Sequence, residues 1–298
     1  NSTTGCDAAI SAAPSPLDAS KGQREVSSTP NAEASPVNLG ASLVQPWGRA
    51  LAGRRLLLVE DNPINQAVVL GFLEDSGLRI EVATDGQEGV RRCQESAFDL
   101  ILMDVQMPVM DGLEASRRIR ALDSEVPIVA LTANAFAEDV AASRAAGMNT
   151  HLSKPIDLAH LQAILNHFLA PNSGLGDPDT QAIAPPQAPG GDIASLHLDP
   201  AAGLTLMGGN NKLYRRILGN FAWTYADLEL DLSQPDARRT LHSLKGLSAN
   251  IGALALREKA AALEQSLDGT QLPAFRQELA AVIDAIRRHL QAETGDKT

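Results

Sequence analysis

Between residues 55 and 169, five short apolar runs alternate with five amphipathic segments. Short apolar runs bounded by acidic or turn residues are typical of strands that are buried on both faces. Strands that alternate with helices predict a parallel sheet covered on both sides, which is an α/β fold. The predicted strands are 55–59, 80–83, 99–103, 127–131 and 150–153, and the predicted helices are 62–76, 86–95, 112–121, 135–146 and 157–169.

Polar residues stand at the carboxyl ends of four predicted strands: Glu60 and Asp61 after the first, Asp104 after the third, Thr132 after the fourth and Lys154 after the fifth. Ligands of open parallel sheets bind at this edge. Carboxylates that are brought together repel one another unless a cation lies among them, and oxygen ligands suit Mg²⁺. A lysine and a hydroxyl beside such a site would stabilise a phosphoryl group, and a carboxylate can be the nucleophile that forms an aspartyl phosphate.

The composition of the chain divides it into four parts. Residues 1–52 are rich in Ala, Ser, Pro and Gly without a sustained period, so we expect a disordered leader. The α/β block occupies residues 53–170, and a second biased stretch, 171–192, predicts a flexible linker. Residues 193–298 show only helical periodicity and predict an all-α domain.

Charge and hydropathy narrow the function class. The formal net charge of −11 argues against a nucleic-acid or anionic-membrane surface. No run of about 18 apolar residues is present, so we expect no membrane contact by this chain. The two cysteines, Cys6 and Cys93, are too few for a disulfide framework, which favours a reducing, cytoplasmic compartment.

Four segments of the α/β block resemble, in order and spacing, the motifs of the receiver domain of two-component response regulators. The resemblance implies a flavodoxin-like (βα)5 fold over about residues 54–170, and the first segment is most similar to the receivers of hybrid sensor kinases. The segments are "LLLVEDNPINQ" (56–66), "DLILMDVQMPVMDG" (99–112), "VALTANA" (129–135) and "LSKPI" (152–156).

The resemblance implies a role for each polar residue at the strand ends, with Asp104 as the phosphoacceptor. The other implied roles are Mg²⁺ ligation by Glu60, Asp61 and Asp104 with the backbone carbonyl of Gln106, and contacts to the phosphoryl group by Thr132 and Lys154. One position departs from the family. Receivers usually carry Tyr or Phe three residues before the lysine, where this chain has His151, so the usual coupling of the threonine to an aromatic ring is in question. His151 is either a half-exposed strand residue or a pH sensor.

The segment "LHSLKG" (241–246), followed by "ANIGA" (249–253) and "LREKAAALE" (256–264), resembles the histidine phosphotransfer (HPt) domain, a four-helix bundle. The resemblance implies that His242 carries a phosphoryl group from an outward face of its helix. Lys245 and Gly246 share that face, because residues three and four apart are neighbours on a helix. Lys245 can offset phosphoryl charge. Gly246 costs about 1 kcal/mol relative to alanine in a helix, which suggests that it clears space for a docking receiver.

Both resemblances together imply the C-terminal part of a bacterial hybrid sensor histidine kinase. A kinase core, expected in the same full-length protein and anchored in the inner membrane, would phosphorylate Asp104. The phosphoryl group would pass to His242 and then to a downstream response regulator. The chain shows no P-loop pattern and no glycine-rich ATP lid, so we do not expect it to use ATP by itself.

Two other functions fit parts of the sequence. The receiver could act as a phosphorylation-controlled interaction or inhibitory module, with relay secondary. A metal-dependent phosphatase would need an aspartate two residues after Asp104, and Gln106 occupies that position. In the relay interpretation, a linker of roughly two dozen residues spans about 25–30 Å. We therefore expect His242 to reach Asp104 of its own chain, with no large fixed interface between the domains.

Overall fold

Five parallel strands form one sheet in the order β2-β1-β3-β4-β5. The computed structural model describes residues 47, 51–122, 125–133, 137–170 and 197–295. All five predicted strands form, each within one residue of the predicted bounds. They are β1 (Arg55–Val59), β2 (Arg79–Ala83), β3 (Leu100–Asp104), β4 (Ile128–Thr132) and β5 (Thr150–Ser153).

The strand order reverses next to β1, because β1 pairs with β2 on one side and with β3 on the other. In doubly wound sheets, the ligand site lies at the carboxyl ends of the strands beside such a reversal. Every residue of β3 is buried, as expected for a central strand covered by helices on both faces. The site is thus placed on the most rigid part of the sheet.

Five helices flank the sheet. The first begins where its cap requires, since the Asn62 side chain accepts hydrogen bonds from the backbone N–H groups of Ile64 and Asn65. It ends at Phe72 rather than at the predicted Ser76, whose hydroxyl instead donates to the carbonyl of Leu73 and closes the turn. The helices are α1 (Pro63–Phe72), α2 (Gly86–Glu95), α3 (Gly112–Arg120), α4 (Ala137–Ala145) and α5 (Leu158–Leu169).

The all-α part consists of a short helix followed by four long ones, which confirms the predicted bundle. Helices α8 and α9 form a hairpin whose turn includes Gly252 at a φ of 81°. A Cβ at Gly252 would overlap the carbonyl of Asp199, so glycine is required there. The helices are α6 (Pro200–Leu206), α7 (Asn211–Tyr225), α8 (Ala237–Asn250), α9 (Leu254–Ser266) and α10 (Leu272–Gly295), with a 3₁₀ turn at Gly269–Gln271.

The α/β domain and the bundle meet along α1 and α7. Their buried apolar residues form one continuous cluster across this contact. At this contact Leu213 of α7 packs directly over Gly71 of α1. The expectation that the domains share no large fixed interface stays a prediction. A hydrogen bond of 3.3 Å from the Asn62 amide to the Tyr225 hydroxyl joins the other ends of the two helices.

The predicted leader lies outside the described residues except for Trp47, Leu51 and Ala52, and the predicted linker lies outside them entirely. Leu51 is fully buried in the apolar cluster. The Trp47 indole donates to the carbonyl of Phe72 at the end of α1. Among the described residues, no helix is both long and apolar enough to cross a bilayer.

A glycine exchange tests how tightly α3 is held against the functional edge of the sheet. A Cβ at Gly112 would overlap the backbone carbonyl of Asp104, which cannot rotate away. We expect Gly112→Ala to lower the free energy of unfolding of the α/β domain by at least about 2 kcal/mol in urea titrations. Gly219→Ala in α7 is the matched control, because a Cβ there meets nothing within 4 Å. Equal effects of the two exchanges would contradict this packing.

Candidate functional site

Three carboxylates converge at the carboxyl ends of β1 and β3. Glu60 and Asp61 directly follow β1, and Asp104 is the last residue of β3. Because these strands are neighbours in register, their ends meet, and one oxygen of each carboxylate lies within 4.8 Å of the others. The structure thus brings together the three residues that the strand pattern selected.

Lys154 binds two of these carboxylates. Its Nζ lies 2.8 Å from Glu60 Oε2 and 2.7 Å from Asp104 Oδ2, and its side chain is only 5% exposed. It reaches them because it follows β5 directly, where its backbone N–H donates to the carbonyl of Thr132 at 2.6 Å. Three carboxylates and one ammonium leave two negative charges, which one divalent cation would neutralise.

Hydrogen bonds fix the carboxylates in place. The Asn65 amide donates to Glu60 Oε1 at 2.8 Å, and the backbone N–H of Gln106 donates to Asp104 Oδ1 at 3.1 Å. The sequence analysis did not single out Asn65. Its signal was a polar residue in the first turn of α1, two residues after Pro63, where the inner face of the helix should be apolar.

Burial sets the electrostatics of the cluster. Burial and the charge of Glu60 raise the pKa of Asp104, although Lys154 opposes the shift. The same two causes raise the pKa of Asp61. Burial lowers the pKa of Lys154, but Asp104 and Glu60 more than offset this, so the ammonium stays charged. Burial is the larger cause of both upward pKa shifts and the charge of Glu60 adds to it, so a cation bound among these carboxylates would be favoured.

Thr132 ends β4, next to β5, and completes the set of strand-end residues that the sequence analysis selected. His151 is half-buried in β5, where it is in register with Ala130. Its charge is one of the causes that lower the pKa of His160 on α5, after burial, while Asp157 opposes them. The adjacent Leu152 packs with the apolar residues of α5, so His151 faces the other side of the sheet together with Ala130. The two interpretations of His151, a half-exposed strand residue and a pH sensor, both stay predictions.

A second cluster lies in the bundle, where α8 and α9 pack together. His242 Nδ1 lies 2.7 Å from Glu264 Oε1, and Lys245 Nζ lies 2.7 Å from Glu264 Oε2. His242 is only 8% exposed, so the expectation of an outward face is wrong. The physical reason is Glu264 of α9, against which the imidazole packs.

Glu264 decides the tautomer of His242. Burial raises the pKa of Glu264, but hydrogen bonds from His242 and Lys245 lower it more, and the net shift is downward. An ionised carboxylate only accepts hydrogen bonds, so Nδ1 of His242 carries the proton. The lone pair of the neutral ring is then on Nε2, which is the nucleophilic atom.

Glu264 was quoted in the sequence motif but was given no role. Its signal was available, since His242 and Glu264 stand at comparable distances on either side of the α8–α9 turn. Gly246 also lies on this part of α8. It is buried, yet a Cβ there would meet nothing within 4 Å, so the glycine leaves a small open space.

The bundle contains a second arrangement of the same three residue types. His197 Nδ1 lies 2.7 Å from Glu278 Oε1, and Lys259 binds the other oxygen of this carboxylate. Geometry of this kind is therefore not specific by itself. Arg239 lies one helical turn before His242. Its charge opposes burial and the charge of Glu60, which together raise the pKa of Asp61 in the carboxylate cluster.

Two known families match parts of this chain. The family described as "Response regulator receiver domain" matches residues 56–166, and the family described as "Hpt domain" matches residues 222–295. The chain joins a receiver domain to an Hpt domain. The receiver contains the carboxylate cluster and Lys154, and the Hpt domain contains His242, Lys245 and Glu264.

The curated relatives of the receiver are sensor kinases. Sensor protein GacS of Pseudomonas syringae pv. syringae is 43% identical over 116 residues, which is 37% of this chain and 13% of that protein. The peroxide stress-activated histidine kinase mak1 of Schizosaccharomyces pombe is 42% identical over 131 residues, 41% of this chain and 8% of that protein. This chain thus spans only a small part of the length of these relatives.

Solved structures include the receiver domain of sensor histidine kinase PA1611 from Pseudomonas aeruginosa, described with a magnesium ion in its active-site cleft. It is 46% identical, with a TM-score of 0.37, over 40% of this chain and 99% of that chain.

The tautomer of His242 can be measured directly. In long-range ¹H–¹⁵N spectra at mildly alkaline pH, we expect the His242 signals of a ring protonated at Nδ1 only. Glu264→Gln should change these signals because the ionised acceptor is lost, and should leave those of His197 unchanged. Glu278→Gln is the matched control and should do the reverse. A His242 spectrum that is insensitive to Glu264→Gln would contradict the assignment.

Proposed function

We propose that this chain is a two-step phosphorelay: the receiver takes a phosphoryl group on Asp104, and the Hpt domain takes it from there on His242. The observation that carries the proposal is the pairing of two phosphoryl-accepting arrangements in one chain. One is a carboxylate beside a buried ammonium and two further carboxylates. The other is an imidazole whose Nδ1 is held by a carboxylate, which leaves Nε2 free.

In the first step, Asp104 attacks the phosphorus of a phosphohistidine. An O–P bond forms, the N–P bond breaks, and the donor imidazole leaves. Lys154 lies 2.7 Å from Asp104 Oδ2, so its ammonium is placed to balance charge on the transferring group. Thr132 follows on the adjacent strand end and supplies a hydroxyl to a phosphoryl oxygen. These roles rest on the strand-end geometry and on the resemblance of the motifs.

The residues present fit a magnesium ion. Glu60, Asp61 and Asp104 offer only oxygen atoms as ligands. After pairing with Lys154, two negative charges remain, which one divalent cation would neutralise. The backbone carbonyl of Gln106 would complete the protein ligands. When bound, Mg²⁺ supplies charge neutralisation for the carboxylates and the phosphoryl oxygens.

In the second step, Nε2 of His242 attacks the same phosphorus. The O–P bond breaks and returns the Asp104 carboxylate, and the new N–P bond leaves the imidazole ring positively charged. Glu264 stabilises that positive charge through its hydrogen bond with Nδ1–H of His242. Lys245 binds the other oxygen of Glu264 and helps to keep this carboxylate ionised. The open space at Gly246 keeps this part of α8 clear for the receiver that docks on it.

The donor and the final acceptor lie outside this chain. We infer a histidine kinase core as the donor, because the curated relatives GacS and mak1 are named as a sensor protein and a histidine kinase. The core would belong to the same full-length protein. The acceptor is the receiver of a downstream response regulator, since an imidazole-bound phosphoryl group is suited to attack by another carboxylate.

Labelling tests the first step. With acetyl phosphate and Mg²⁺, we expect one base-labile acyl phosphate per chain, detected by intact mass and located by borohydride reduction. Asp104→Asn and removal of Mg²⁺ with a chelator should each abolish it. Asp139→Asn, at an exposed aspartate in the first turn of α4, is the control and should label normally. Full labelling of the Asp104→Asn chain at another aspartate would contradict the assignment.

Substitution of the histidines tests the second step. We expect His242→Gln to abolish the acid-labile phosphoramidate while acyl phosphate still forms on Asp104. His197→Gln should leave transfer unchanged, although His197 has the same carboxylate and lysine neighbours. Lys245→Ala should slow transfer less than loss of His242, because it removes a supporting charge and not the acceptor. Phosphoramidate that persists in the His242→Gln chain would show that another histidine accepts.

A further inference from the structure

The contact between the receiver and the Hpt domain has a distinct shape. The helices α1 and α7 run antiparallel, because Asn62 before α1 bonds to Tyr225 at the end of α7, while Gly71 near the end of α1 meets Leu213 near the start of α7. Leu213 is 3% exposed and Tyr225 is 6% exposed. Both side chains of the Hpt domain are therefore enclosed.

Gly71 is the tightest point of this contact. A Cβ built there would overlap both methyl groups of Leu213 and lie 2.8 Å from Arg216 Nη2. The arginine can swing away, but Leu213 is enclosed by buried neighbours and has little room to change rotamer. Inside a helix, glycine is less favourable than alanine, so the absence of a side chain at Gly71 lowers the intrinsic stability of α1.

The other end of the contact touches the phosphoryl site. Asn62 follows Asp61 of the carboxylate cluster and caps α1 through its side-chain oxygen. The same side chain donates through its amide to the Tyr225 hydroxyl at 3.3 Å. The α1–α7 contact therefore holds the Hpt domain against Asn62, the residue that follows Asp61 of the carboxylate cluster.

We propose that Leu213 is a size-selective key, which admits to the Hpt domain only receivers with a glycine-sized gap at the α1 position that faces it. This inference rests on the proposed relay and specifies its partner. The downstream receiver must use the same face, because one His242 cannot serve two receivers at once. We therefore expect that receiver to carry glycine where this chain has Gly71.

Transfer between two full-length chains separates recognition from chemistry. The donor chain carries His242→Gln and is labelled on Asp104, and the acceptor chain carries Asp104→Asn with His242 intact. In the donor, Gly71→Ala also frees the receiver from its own Hpt domain, so the effect is measured as the rate of transfer to the unsubstituted acceptor divided by the rate of transfer to a Leu213→Ala acceptor. We expect this ratio to be about tenfold lower for the Gly71→Ala donor than for the Gly71 donor, since overpacking of one methyl group weakens docking. Leu213→Ala in the acceptor should restore the rate of the Gly71→Ala donor to within about threefold of the unsubstituted pair.

The same exchange in the acceptor should have the opposite effect. There, Gly71→Ala weakens docking of the acceptor's own receiver on its own Hpt domain, so the face is free more often and transfer from the donor speeds up. Gly219→Ala in either chain is the control and should leave both rates unchanged, because its Cβ meets open space.

Three results would overturn the inference: an equal ratio of rates for Gly71→Ala and Gly219→Ala donors, slowing by Gly71→Ala in the acceptor, or no rescue by Leu213→Ala. Labelling of Asp104 in the donor is measured alongside each rate, as a control for the first step of the relay. If the donor labels normally and any of these results is found, the proposed size selection by Leu213 is wrong and the proposed relay stands. Absence of labelling in the unsubstituted chain overturns the proposed relay, and the key with it.

Discussion

Repulsion among Glu60, Asp61 and Asp104 is the constraint on which the receiver site depends. The sheet forces these side chains together, because adjacent parallel strands end at the same edge and two of the strands are in register. Lys154 relieves part of the repulsion from a position that β5 supplies, on the far side of β4. The site is therefore built from the ends of β1, β3 and β5. Its excess negative charge would be neutralised by a cation, alone or bound to a phosphoryl group.

Much of this was predictable from the sequence. The buried strands appeared as apolar runs because a strand covered on both faces cannot alternate, and the residue that follows each run was placed at the sheet edge by topology alone. Helix ends were less predictable. The early end of α1 depends on the hydroxyl of Ser76, a single side-chain hydrogen bond that leaves no trace in hydrophobic periodicity.

Contacts between distant elements were not predictable in the same way. Glu264 and Asn65 act through side-chain geometry across helices or toward a strand, and the sequence shows only that a polar residue is present. The contact of α1 with α7 was not predicted. Its signal was Gly71, a glycine inside a helix, and the same kind of signal had drawn attention to Gly246. For Gly246 the motif suggested a partner, and for Gly71 only the folded chain shows Leu213 above it.

Asn62 has a consequence for the thermodynamics of the whole chain. Its side chain caps α1 and binds Tyr225, and its neighbour Asp61 belongs to the carboxylate cluster. Cation binding and docking of the Hpt domain thus act on two consecutive residues of one loop. Linkage requires that the factor by which docking changes the affinity for a cation equals the factor by which the cation changes docking. Any preference of a cation for the docked arrangement would therefore make the ionic composition around this chain a control on how long its two domains stay together.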